Sequence, residues 1–214
     1  LVGSEMCIID SLTIAIGAAS LIMSAQSAAD LFTSAPQKIF PLLDRNTRLD
    51  MVDYFKNGMT TPSQNQLDGR SAITEMTPES ITVKMTDSSA IQLVELKGTK
   101  GSIIALISTV ATPGLDSNIR FYDTDWNPLP TENYFTKPGW KEWLTESGSK
   151  NEADVTMQVP FMLASYRIDP STSTLTLTNN LDKFLDKALY DDISSDLMPS
   201  LTYEWTGKAF KAKK

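Results

Sequence analysis

From about Ser71 onward the apolar residues of this chain recur at every second position, and that change of period decides the fold class. Ile81, Val83 and Met85 alternate with Thr82, Lys84 and Thr86, which predicts a strand with one dry face and one wet face. Asp87, Ser88 and Ser89 supply a turn, and Ile91 to Leu96 the next strand. Lys97 to Gly101 turns the chain again. The run from Ile103 to Val110 is apolar on both faces, so it reads as a central strand covered on both sides by the N-terminal helices. Pro113 and Gly114 interrupt the pattern before a strand around Ile119 to Tyr122. Connections this short join antiparallel neighbours.

Upstream of Ser71 the spacing is helical. Asp30, Leu31 and Phe32 begin a short helix that Pro36 ends, and Ile39 to Leu43 follow around Pro41. A longer helix is predicted from Thr47 to about Asn57. Thr47 and Asp50 have capping-box spacing, Leu49, Val52 and Phe55 form the apolar stripe, and Gly58 stands where a left-handed cap belongs.

Downstream, residues 130–154 are irregular, with one helical turn at Trp140 to Leu144. Val155, Met157, Val159, Phe161 and Leu163 then alternate as a strand, with Pro160 placing it at a sheet edge. The phase slips to Tyr166 and Ile168, which predicts a β-bulge near Ala164. Asp169 and Pro170 open a turn before a returning strand at Leu175 and Leu177. Asn180 caps a helix striped by Leu181, Phe184, Leu185, Ala188 and Leu189, and Leu201, Tyr203 and Trp205 form the last strand. The expected fold is α+β: N-terminal helices packed on a largely antiparallel β-meander sheet, with one further helix before the last strand. Residues 26–214, without internal repeats, are expected to form a single globular domain.

Residues 1–25 read as a signal peptide. Ile14 to Met23 is apolar but too short for a membrane span, and the small residues Ser24, Ala25, Ser27, Ala28 and Ala29 follow it. Cleavage is expected near residues 25–27, after Ala25 or after Ser27. The start departs from the usual pattern, because it carries Glu5 and Asp10 and no Lys or Arg.

The chain has no histidine, and its one cysteine, Cys7, lies in that leader. The commonest general base and metal ligand at neutral pH is therefore missing, as is a thiol nucleophile from the exported chain. No cofactor is expected, since no glycine-rich phosphate loop is present. A formal net charge of −7 argues against nucleic acid as a partner. The basic cluster Lys208, Lys211, Lys213 and Lys214 reads as a solvated tail.

Four groups of residues are candidates for a site. Asp123, Asp125 and Asn127 have the alternation that opens a calcium loop, but Pro128 and Tyr134 stand where glycine and glutamate belong, so a tight turn explains them better. Asp50 and Asp53 are spaced one helical turn apart, as a carboxylate pair would be, but capping already explains Asp50 and a solvated helix face Asp53; Asp191, Asp192 and Asp196 read as a helix end and its loop. Ser147 and Lys150 have Ser-x-x-Lys spacing in a glycine-containing loop. Trp126, Tyr134, Phe135, Trp140 and Trp143 concentrate aromatic surface in the irregular region, either to hold a ligand or to close one end of the core.

Three ordered segments carry a resemblance. They are Leu31-Phe32 to Ala35-Pro36 with Ile39-Phe40-Pro41-Leu42-Leu43; Arg48-Leu49-Asp50-Met51-Val52-Asp53-Tyr54; and Ser108-Thr109-Val110, Pro113, Asp116-Ser117, Arg120-Phe121-Tyr122 and Trp126-Asn127-Pro128-Leu129. The set resembles an uncharacterised family of secreted proteins from Bacteroides-type bacteria, a domain of unknown function. The resemblance implies export to the periplasm or cell envelope and assigns no functional residue. The expectation is a non-catalytic binding or interaction module whose partner is an envelope protein or a glycan. The alternative is a carboxylate-dependent hydrolase acting on polysaccharide.

Overall fold

A computed structural model describes residues 26–59, 61–111 and 113–213; the leader at residues 1–25 lies outside them. Two helices open the chain, α1 (Ala28–Ser34) and α2 (Arg45–Lys56). Ser27 and Asp30 cap α1 reciprocally: the Ser27 hydroxyl oxygen accepts the Asp30 N–H at 3.2 Å and the Asp30 carboxylate accepts the Ser27 N–H at 3.1 Å. Ala35 is extended because Pro36 follows it, and α1 stops there. The cap of α2 is Asp44, which accepts the Thr47 N–H at 2.8 Å, so the helix begins earlier than Thr47 and Asp50 suggested. Its buried side is Arg48, Met51 and Val52, while Leu49 is exposed; the face is turned one residue from the Leu49 stripe. Gly58 does take a positive φ of 69°.

Seven strands follow in sequence order: β1 (Ser63–Gln64), β2 (Arg70–Met76), β3 (Ser80–Thr86), β4 (Ser89–Gly98), β5 (Gly101–Ala111), β6 (Leu115–Asp123) and β7 (Pro128–Leu129). They form one antiparallel meander in that order. The short helix α3 (Trp140–Trp143) and α4 (Glu152–Gln158) come next, then β8 (Ala164–Asp169) and β9 (Thr174–Asn179). The helix α5 (Lys187–Ile193) precedes β10 (Ser200–Trp205) and β11 (Phe210–Ala212). These last four strands form a second antiparallel sheet, ordered β11-β10-β9-β8.

The α+β class stands, and the layers are three. Odd-numbered Ile81, Val83, Met85 and Leu93, with Ile104 and Leu106, pack under α1 and α2. The other face of the meander presents Val94, Leu96, Ala105, Ile107, Ile119 and Phe121 to the second sheet. The run on β5 is therefore covered on both faces as expected, but by helices on one side and a sheet on the other. A third apolar cluster, around Leu144, Val155, Val159, Leu181, Ile193 and Leu197, joins α3, α4 and α5.

Four expectations need correction. The segment from Val155 to Val159 is helical: Val155 and Val159 are buried four residues apart, and Met157 between them is 78% exposed. With no strand before Ala164 there is no bulge there; the register shifts lie in the β2–β3 and β3–β4 pairs. The stripe after Asn180 is split into a 3-10 turn at Leu181–Lys183 and α5, because Asp186 caps a new helix by accepting the Leu189 N–H. Trp205 does not end the fold: the lysine-rich tail returns as β11, with Phe210 buried and Lys213 paired with Glu204 at 2.8 Å.

Candidate functional site

The aromatic set is divided by the meander. Trp126 packs among the helix-side residues, 5.9 Å from the Phe40 ring and 5.3 Å from the Tyr122 ring. Phe135 and Trp143 are buried in the core between the sheets, where Phe135 meets Tyr166 and Tyr203 edge-on at 5.9 and 5.2 Å. Tyr134 and Trp140 remain half-buried. The Thr131–Asn133 turn sets this alternation, since both Tyr134 and Phe135 donate their N–H to Thr131 and the Phe210 N–H reaches Tyr134 O at 2.7 Å.

Asp123, Asp125 and Asn127 form the turn between β6 and β7. The Asp123 carboxylate accepts the N–H groups of Asp125 and Asn127 at 3.0 and 2.8 Å and the Asn127 side-chain amide at 2.9 Å. The Asn127 side chain, first, and those backbone donors hold its carboxyl below the usual carboxylate range. Asp50 and Asp53 are both exposed on α2. Asp191 pairs with Lys187 at 2.5 Å on α5. Ser147 meets Thr145, hydroxyl to hydroxyl, at 2.9 Å, and Lys150 is exposed.

Three turns converge on a groove of about 540 Å³: residues 98–101 between β4 and β5, residues 133–134, and Gly207–Lys208 between β10 and β11. The rings of Tyr134 and Trp205 lie along it at 6.4 Å with 25° between their planes. Trp205 is pinned by its indole N–H, which donates to Lys97 O at 2.8 Å. The two glycine turns are tied together by the Thr99 N–H donating to Gly207 O at 2.8 Å. Gly98 must be glycine, because a Cβ there would sit 2.7 Å from Gly101 O. Lys100 and Lys208 stand exposed at the rim, and among the described residues neither takes part in an ion pair. Of the sequence candidates only Tyr134 and Asp123 line this groove. Trp205 is missed by sequence reasoning because it continues the Leu201–Tyr203 alternation and so reads as core.

A second cavity, of about 320 Å³, lies between β6 and β8 and is lined by Asp116, Ser117, Lys137 and Tyr166 among others. Burial, with the Asp116 carboxylate second, pushes the Tyr166 phenol up to about 12. Among the described residues no helix is long and apolar enough to cross a membrane, and no cluster of acidic residues has metal-binding geometry.

A meander roofed by helices and backed by a second sheet, with an aromatic groove where their turns meet, defines the class of domain. The profile of the family described as Protein of unknown function (DUF3256) matches residues 20–210, and the chain belongs to that family. A solved structure of a domain of an uncharacterised protein from Porphyromonas gingivalis is similar over 86% of this chain and 97% of that one. Its TM-score is 0.72 at 19% identity, a likeness of fold. No curated protein matches the chain.

Proposed function

We propose that this chain is an exported, non-catalytic binding module of the cell envelope, and that the groove at Tyr134 and Trp205 holds a glycan. The observation that carries this reading is the pair of half-buried rings. They present an aromatic ledge at the end of β10 and on the turn that closes Thr131–Asn133, and sugar C–H faces pack on such surfaces without any catalytic group. The pinned indole and the cross-linked glycine turns support it by fixing the ledge before a ligand arrives, which lowers the ordering cost of binding. The absence of histidine and of any cysteine after residue 7 agrees with recognition in place of turnover.

The test is a titration of envelope polysaccharide fragments from a Bacteroidetes host, followed by tryptophan fluorescence and NMR. Trp205→Ala is expected to remove binding of neutral fragments, and Lys100→Ala with Lys208→Ala, both at exposed positions, to leave the fold intact and weaken acidic fragments selectively. Undiminished binding of neutral fragments by a folded Trp205→Ala chain would discard the groove.

A further inference from the structure

We propose that the groove bounded by residues 38–39, β5 and the β6–β7 turn binds an organic carboxylate the size of one sugar ring, a hexuronate in chemical class. It lies on the other side of the meander from the Tyr134–Trp205 ledge. On β6, Arg120 and Tyr122 line this groove, while the neighbouring Asp123 lines the other one. The inference therefore does not rest on the glycan reading of that ledge.

Charge is the first argument. The chain carries a formal charge of −7, yet this groove is lined by Lys38 and Arg120 and by no carboxylate. Among the described residues neither cation has an ion-pair partner, and both are exposed. A guanidinium fork matches a carboxylate in bidentate geometry, and a lysine beside it adds a second charged donor.

Trp126 is the second argument. Trp126 is among the residues lining the groove, only 4% of it is exposed, and its indole N–H is buried without a partner. Such a donor carries the desolvation cost of an unmade hydrogen bond until an acceptor reaches it. The residue also has φ of 65°, a conformation a bulky side chain rarely adopts. The Asp123 carboxylate enforces it by gathering the backbone on both sides of Trp126. Strain of this kind persists where surrounding structure over-determines it, and such places concentrate at ligand sites.

Behind Trp126 lies a further positive charge. Arg48 is buried with only its Nη2 donating, to Ala35 O at 2.7 Å, and its Nε and Nη1 have no partner. Its guanidinium stands 5.4 Å from the centre of the Phe40 ring, the same ring on which Trp126 packs.

Size and walls narrow the class. The groove holds about 300 Å³. At roughly 30 Å³ per liquid-water-sized group this is about ten heavy atoms, close to a single ring with its substituents. Leu106, Ile39 and Pro128 give apolar walls for a pyranose C–H face, and Ser108 and Tyr122 bring hydroxyls that pair with ring hydroxyls. An inorganic oxyanion would leave those walls unused.

The experiment uses the chain from residue 26 onward, titrated with sodium glucuronate, with glucose and acetate as the uncharged and ringless comparisons. The expected result is saturable binding of glucuronate that weakens with salt and moves the Trp126 indole proton resonance. Arg120→Ala and Lys38→Ala should each weaken it about tenfold or more, and Arg120→Gln should do the same with the side-chain bulk kept. Trp205→Ala should bind glucuronate as the parent does. Absence of saturation, equal affinity for glucose or acetate, or undiminished binding by folded Arg120→Gln and Lys38→Ala chains would overturn the proposal.

Discussion

Gln92 is the one side chain whose replacement should tell most about how the two sheets hold together. It points from β4 toward the second sheet and is buried, and its amide serves Ile168 of β8 as a strand neighbour would. It accepts the Ile168 N–H at 2.9 Å and donates to Ile168 O at 2.7 Å. Along the same edge the Ser117 hydroxyl oxygen accepts the Tyr166 N–H at 3.0 Å, and Asp116 reaches the Ala164 N–H at 3.4 Å. Side chains of the meander thus occupy the outer edge of β8, which would otherwise be open to pairing with another chain. Gln92→Ala leaves a buried N–H and a buried C=O without partners. At about 1–3 kcal/mol each, the expected loss is about 4 kcal/mol, or about 8–16 °C in Tm for a domain of this length. Gln37→Ala is the comparison, since its exposed amide donates to Phe40 O and Pro41 O at 3.3 Å, and it should cost less than about 1 kcal/mol. Amide exchange should accelerate at Ile168 in the first variant alone. Gln92→Glu adds a sign test. An introduced carboxyl can donate to Ile168 O only when protonated, so folding raises its pKa above the unfolded value of about 4.3. Its stabilising contribution is complete below that value and is lost as pH rises through the folded one, so the deficit against the parent should widen from pH 4 toward neutrality. Equal melting of Gln92→Ala and Gln37→Ala, with unchanged Ile168 exchange, would refute the reasoning.

Trp143→Ala should cost about 3–5 kcal/mol by emptying a site that is 2% exposed between the sheets, whereas half-buried Trp140 should tolerate Ala better; denaturant unfolding of the two variants separates them. The raised Tyr166 phenol predicts an alkaline loss. Its neutral form is favoured in the fold, so its contribution is present below about pH 10 and fades as pH climbs toward its folded value of about 12. Tyr166→Phe should flatten melting temperature against pH in that window, and an unchanged slope would exclude Tyr166 as the cause. For the leader, chain recovered from periplasm or medium is expected to begin at Gln26. Cleavage after Ser27 would remove the α1 cap and place an ammonium on Ala28, which is fully buried and donates its N–H to Pro78 O at 2.8 Å; terminal mass mapping decides between the two.

The parts of the fold legible in the sequence are those where local pattern and burial coincide. Ile81, Val83 and Met85 alternate because one face of β3 meets α1 and the other meets water, and the doubly apolar run on β5 is central for the same reason. Val155, Met157 and Val159 fit two periods at once, and only burial shows that the spacing of four was the physical one; Asn151, Glu152 and Asp154 are the start signals that point the same way. What no local pattern contains is the division into two sheets. It is built from contacts such as Gln92 with Ile168, 76 residues apart, and polar residues in a strand read as its solvent side unless a partner is known. The aromatic candidates illustrate the same limit. Tyr134 and Phe135 are adjacent and chemically alike, yet one lines the larger groove and the other fills the inter-sheet core at the wall of the smaller cavity. Composition can concentrate rings in a segment, but the Thr131–Asn133 turn decides which side of it each ring takes. Trp205 and Trp126 depart from their local patterns in opposite ways. Trp205 continues an apolar alternation and ends at a groove, and Trp126 sits in a loop-like stretch and is buried with its N–H unpaired. Both grooves lie at β6 and its turn to β7, one on each side of the meander, and the two-residue strand at the sheet edge lines both, with Pro128 in one and Leu129 in the other. Shortening or stiffening that turn should therefore alter the two sites together, whereas Arg120 and Trp205 substitutions should alter them one at a time.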